Sequence, residues 1–81
     1  QQFKQKYRDD CLIIMVAPIL WVPTIKEFKT KPLQRSVQDL QSNGITPDII
    51  LCRVDRPMPD KILGKVSEMT GVPRESVFDA P

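Results

Sequence analysis

Two apolar runs without alternation, Cys11 to Val16 and Asp48 to Cys52, are separated by a segment in which apolar residues recur at helical spacing. Continuous runs of this length suit strands covered on both faces in a parallel sheet. Between them, Leu33, Val37 and Leu40 stand at i, i+4, i+7, which predicts a helix from about Pro32 to Ser42 seated on the core by one stripe. Asn43-Gly44 then supplies a left-handed stop. Strand, helix, strand in this order implies a right-handed parallel crossover. A further helix is expected from Asp60, which can cap it, to about Thr70, with Ile62, Val66 and Met69 on its inner face and Gly71 as its stop. Pro73 to Ser76 reads as a single turn, and Val77-Phe78 opens another strand. Upstream, Phe3 and Tyr7 at i, i+4 in the polar stretch Gln1 to Asp10 suit the last turns of a helix. Ala17 to Phe28, interrupted by Pro18 and Pro23, reads as a loop with a short extended piece around Ile19 to Val22, packed down by Trp21. The expected class is α/β: a partial parallel sheet with a βαβ crossover, two or three strands and about three helical segments.

Composition narrows the function classes. With 81 residues and 41% hydrophobic content, the chain is one domain at most, and a domain of this size buries only about 60% of its unfolded surface. Twelve basic residues against ten acidic give a net charge of +2, too balanced for nucleic acid or an acidic membrane to be the default partner. Cys11 and Cys52 lack CxxC spacing and the chain has no histidine, which argues against a metal site. Both cysteines lie in apolar runs and read as reduced core residues of a cytoplasmic protein. The run from Cys11 to Pro23 is broken by Pro18 and is shorter than the ~20 residues a membrane span needs, and no export signal is evident.

Local charge is more telling than net charge. Between Thr24 and Arg35 lie Lys26, Lys29, Lys31 and Arg35 against the single acid Glu27. The run Lys29-Thr30-Lys31-Pro32 sets two ammonium groups and a hydroxyl just before a proline suited to a first helical turn, where free N–H groups point toward an anion. A solvated loop is the plainer reading of two lysines, and Thr30 serves equally as a helix cap or as a ligand contact. Ligands of parallel sheets bind beyond the carboxyl ends of the strands. That rule brings Arg53 and Arg56 toward the lysine cluster as additional candidates, although arginines there also pair with loop acids such as Asp55. Lys65, beside the stripe of its helix, can reach over the same rim.

Taken together, the run from Glu27 to Val37, the segment Gly44-Ile45-Thr46-Pro47-Asp48-Ile49-Ile50-Leu51-Cys52-Arg53 and the later Asp55-Arg56 resemble CTP synthase, in its amidoligase (synthetase) half. The resemblance extends from about Glu27 to Phe78, with weaker likeness upstream. It implies a P-loop-type α/β domain, of which residues 1–81 are one partial domain, in an enzyme that uses ATP and Mg2+ to aminate UTP to CTP with ammonia from glutamine. It also implies a homo-oligomer, a tetramer in the family, and contact with the remainder of the synthase. By resemblance, Lys29, Thr30, Lys31, Pro32, Leu33 and Gln34 match the UTP and CTP segment, and Lys65 matches the lysine that completes that site. Lysines there would neutralise phosphates or hold the base edge, while Thr30 and Gln34 would supply directional hydrogen bonds. Leu33 stands where the family commonly has threonine or serine, so only a backbone contact is expected from it.

The sequence has no GxxxxGK[ST] phosphate loop, and the upstream magnesium carboxylates and the glutaminase nucleophile and base that the resemblance implies have no match in it. No catalytic residue is therefore assigned, and the chain by itself is expected to bind no ATP or Mg2+ and to be inactive. Two other classes compete. One is a truncated non-catalytic paralogue acting as an interaction or regulatory module, motivated by apolar strands with too few helices to cover them. The other is a small nucleic-acid binder, which lacks interleaved aromatics and a strong positive charge.

Overall fold

The computed structural model describes residues 12–81. The helix expected over Gln1 to Asp10 and the burial expected of Cys11 lie outside the described residues. The elements are β1 (Ile14–Pro18), β2 (Leu20–Val22), β3 (Glu27–Lys29), α1 (Lys31–Ser42), β4 (Ile49–Arg53), α2 (Asp60–Thr70), a 3-10 turn (Arg74–Ser76) and β5 (Val77–Ala80). Strands β1, β4 and β5 form a parallel sheet in that order, and β2 and β3 form a separate antiparallel pair. The α/β class, the crossover β1-α1-β4 and the third parallel strand all follow the sequence pattern.

The first strand lies further along the chain than expected, over Ile14–Pro18 instead of Cys11 to Val16. Its position is set by β4, with Ile14 opposite Ile49 and Pro18 opposite Arg53. At the start of the ladder the Ile13 N–H donates to Asp48 Oδ2 at 2.8 Å. Pro18 is tolerated because β1 is an edge strand among the described residues. The Ile19 N–H donates to the Arg53 carbonyl at 2.8 Å, so by alternation the nitrogen of Pro18 faces the unpaired edge, where no donor is needed.

Within the expected loop over Ala17 to Phe28 the short extended piece around Ile19 to Val22 is present as β2, and its pairing with β3 makes most of the segment a hairpin. Leu20, Trp21 and Val22 pair with Lys29, Phe28 and Glu27, and Lys26 closes the turn with φ of 53°. Trp21 does pack this segment, with its ring centroid 4.7 Å from that of Phe28.

Helix α1 begins one residue earlier than its proline suggests, and Thr30 occupies the N-cap without a side-chain capping bond. Leu33 and Val37 are buried as expected, and Gly44 adopts the left-handed conformation after the last turn with φ of 79°. Helix α2 has the expected span, but Asp60 is its first residue and Pro59 the cap, again without a side-chain bond. The Asp60 carboxylate is instead taken by Arg74, while still adding negative charge to the first turn. Its inner face is Leu63, Val66 and Thr70, with Ile62 and Met69 packed at the margin. The Thr70 hydroxyl donates to the Val66 carbonyl at 2.7 Å and accepts the Val72 N–H at 3.3 Å, so this buried polar group is satisfied.

Both helices pack on one face of the sheet. There Leu33, Val37, Val66 and Val72 meet Ile50, Cys52 and Val77, each 2% exposed or less. The expectation of strands covered on both faces is corrected: Ile14, Val16 and Phe78 on the other face are 53%, 52% and 48% exposed. The apolar runs record the pattern of doubly covered strands, but both helices among the described residues lie on the same side.

Candidate functional site

The amino-terminal mouth of α1 is fixed from two directions. Leu33 and Val37 seat the helix on the core, and the Gln34 N–H donates to the Thr30 carbonyl at 3.1 Å, closing the first turn. Immediately before it, β3 ends at Lys29 and is held in register by β2. Lysines on the last strand residue and the first helical residue thus flank Thr30, which is buried at 7% exposure.

Lys65 reaches this mouth from α2. Gln41 near the end of α1 donates through Nε2 to the Thr70 carbonyl at 3.0 Å, so a hydrogen bond as well as the shared core fixes the two helices relative to one another. The result is a cavity of about 230 Å3 lined by Ile25, Glu27, Phe28, Lys29, Thr30, Lys31, Pro32 and Lys65. Three lysines and a single acid line it beside the N–H groups of a helix start, a charge balance that favours an anion. Phe28, Ile25 and Pro32 give the cavity an apolar wall.

Five of the seven residues of the sequence-derived core set, Lys29, Thr30, Lys31, Pro32 and Lys65, therefore line one space. The other two lie elsewhere. Leu33 turns into the core and borders a smaller cavity of about 150 Å3 with Met15, Ala17 and Ser36. Gln34 is half-buried and outside the lysine cavity. The additional candidates Arg53 and Arg56 are not drawn to the lysines either. Arg53 borders a larger open cleft of about 600 Å3 at the carboxyl ends of β1 and β4, with Pro18, Trp21, Asp55 and Pro81. Arg56 donates through Nε to Asp55 Oδ1 at 3.3 Å and lies over the Trp21 ring.

Glu27, Phe28 and Ile25 also line the lysine cavity, a placement the sequence pattern does not indicate. Alternation in a three-residue strand is too short a signal to assign them a direction. Asp79 also has a part that its sequence gave no sign of. Its Oδ2 accepts the Met58 N–H at 2.7 Å, tying β5 to the loop that launches α2. Among the described residues no group of three or more His, Cys, Asp or Glu gathers in a way that could hold a metal ion. No helix there is long and apolar enough to cross a membrane.

A family model described as CTP synthase N-terminus matches residues 1–81. The CTP synthase of Chlamydia trachomatis serovar L2 is 42% identical over 80 residues, covering 99% of this chain and 15% of that protein. Those of Acaryochloris marina and of a Synechocystis species are 47% and 46% identical over 79 residues, covering 96% of this chain and 14% of each relative. The chain thus spans about 15% of the length of the curated relatives it matches.

Proposed function

The chain belongs to the CTP synthase family, matching its N-terminal region, and from that premise we propose that it carries the pyrimidine-nucleotide phosphate site of a longer synthase. The observation that carries this reading is the meeting of Lys29, Lys31 and Lys65, from three separate elements, at the mouth of α1. Lys29 and Lys31 neutralise phosphate oxygens, Lys65 adds a third ammonium from the facing helix, and the Thr30 hydroxyl is a directional partner. Leu33 contributes through its position in the first turn, with its side chain serving the core. The cavity of about 230 Å3 is below the ~300–1,000 Å3 of pockets that enclose a drug-sized ligand. It suits the polyphosphate end of UTP or CTP, leaving the base to be read by further parts of a homo-oligomeric enzyme.

In the whole protein the proposed activity is the ATP-dependent amination of UTP to CTP with glutamine-derived ammonia, in the cytoplasm. The sequence contains no phosphate loop for ATP, and the described residues offer no carboxylate cluster suited to Mg2+. No step through either is assigned to these residues, and this chain alone is inactive on the proposed reading.

Titrating the intact protein with UTP and CTP by calorimetry tests the site. Lys29→Ala combined with Lys31→Ala should weaken both at least about tenfold, since each removes a charge-assisted contact. Both lysines are exposed, so the melting temperature should hardly move. Equal, weak binding of every polyphosphate, indifferent to these substitutions, would sink the reading.

A further inference from the structure

The β2–β3 hairpin brings Lys29 to the cavity, yet neither strand is paired to the main sheet. Side chains must therefore supply much of what holds it. Trp21 and Phe28 stand directly opposite one another across the hairpin, their ring planes inclined at 58°. Phe28 packs against the core and lines the lysine cavity. On Trp21 lies the Arg56 guanidinium, 4.7 Å from the ring centroid. Arg56 belongs to the loop after β4, and Asp55 orients it through the 3.3 Å bond to Nε. A planar, permanently charged guanidinium stacks on an indole face in a way that an ammonium group cannot reproduce.

We infer that Arg56 and Trp21 are positioning residues, a latch that holds the hairpin against the loop after β4 and so keeps Lys29 at the nucleotide cavity; this rests on the nucleotide reading above. Arg56 acts through Trp21, and Trp21 through Phe28, the neighbour of Lys29. The side chains of Arg56 and Asp55 are 46% and 73% exposed, so the latch is screened and weak. Each unlatched fraction of molecules lowers the apparent affinity by the same fraction.

UTP is titrated calorimetrically into the intact protein and its variants, and backbone hydrogen exchange is followed without ligand. Arg56→Ala should weaken UTP about threefold, and Trp21→Ala, which removes the aromatic pair as well, about tenfold. The double variant should be no weaker than Trp21→Ala alone, because Arg56 works only through the indole. Arg56→Lys, which keeps the cation but loses the planar stacking, should recover only a minor part of the loss. Arg56→Ala should also speed exchange at the β2 and β3 amides while leaving β4 unchanged. UTP binding that depends on Lys29 but ignores Arg56→Ala, or a double variant weaker by the product of the two single losses, overturns the latch alone. Unaltered protein that fails to bind UTP, or binds it without regard to Lys29→Ala, overturns the nucleotide reading and the ligand-positioning role with it.

Discussion

Across the sheet, the row Met15, Ile50 and Val77 and the next row Val16, Leu51 and Phe78 are built from the same kinds of residue and follow the same register. Their surroundings differ sharply. Ile50 and Val77 are 0% and 1% exposed under the two helices, whereas Val16 and Phe78 are about half exposed. The strand order β1-β4-β5 explains why. Both crossovers advance in the same direction across the sheet, and connections of one hand that advance the same way lay their helices on the same side. Apolar sequence thus reports that a face is suited to burial, while topology decides which face this stretch of chain covers. The lysine cavity lies on the side of the helices, where the packing is firm enough to hold α1 and α2 together.

The sharpest contrast is expected from Ile50→Ala. Removing a large side chain from a closed core costs the lost transfer energy plus the cavity left behind, about 2–5 kcal/mol. Whole-domain stabilities are on the order of 5–15 kcal/mol, so the urea midpoint should fall steeply. A loss below about 1 kcal/mol would mean that the covered face is not packed as described.

Cys52 gives the same face a pH signature. Burial, assisted by the nearby Asp79 carboxylate, pushes its thiol from 9.0 up to about 11. Because the folded value is raised, the unfolded chain loses its proton first as pH climbs. The associated stability is fully present below pH 9 and is lost as pH rises through about 11. At 1.36 kcal/mol per pKa unit the loss approaches about 2–3 kcal/mol. Urea denaturation at pH 8 and pH 10.5 should show a smaller alkaline loss in Cys52→Ala than in the parent. Identical losses would remove Cys52 as a source of the alkaline sensitivity.

Much of this contrast is legible in the sequence, and the remainder is not, for definite physical reasons. Gly44 and Gly71 marked the helix ends because left-handed backbone favours glycine. The stripe Leu33-Val37 seated α1, and strand order brought Lys65 toward Lys29 and Lys31. The extended piece around Ile19 to Val22 is legible as β2, but its pairing with β3 is not, because Leu20–Val22 and Glu27–Lys29 are three residues each, too short for a period to emerge. Arg56 was set near the lysines by its place in the chain, but a long side chain goes to its best partners, and those are Asp55 and the Trp21 face. Asp60 looked like a cap, but Arg74 claims its carboxylate. In each case the missing information was a contact distant in sequence or a choice among neighbouring partners.

The smallest effect is the most searching test of the two faces. Val16→Thr exchanges a methyl for a hydroxyl at nearly constant shape, and at 52% exposure the hydroxyl can remain hydrated. Stability should shift by no more than about 0.5 kcal/mol. The same exchange at Val66, fully buried between α2 and the sheet, places a hydroxyl where water cannot follow and should cost about 1–3 kcal/mol. Measuring both in one background removes differences in intrinsic propensity that are common to the pair, although strand and helix still treat β-branched residues differently by a few tenths of a kcal/mol. If Val16→Thr costs as much as Val66→Thr, something covers the outer face under the conditions of the measurement. The two rows would then be equivalent, and the asymmetry would belong to this stretch of chain and not to the folded protein in solution.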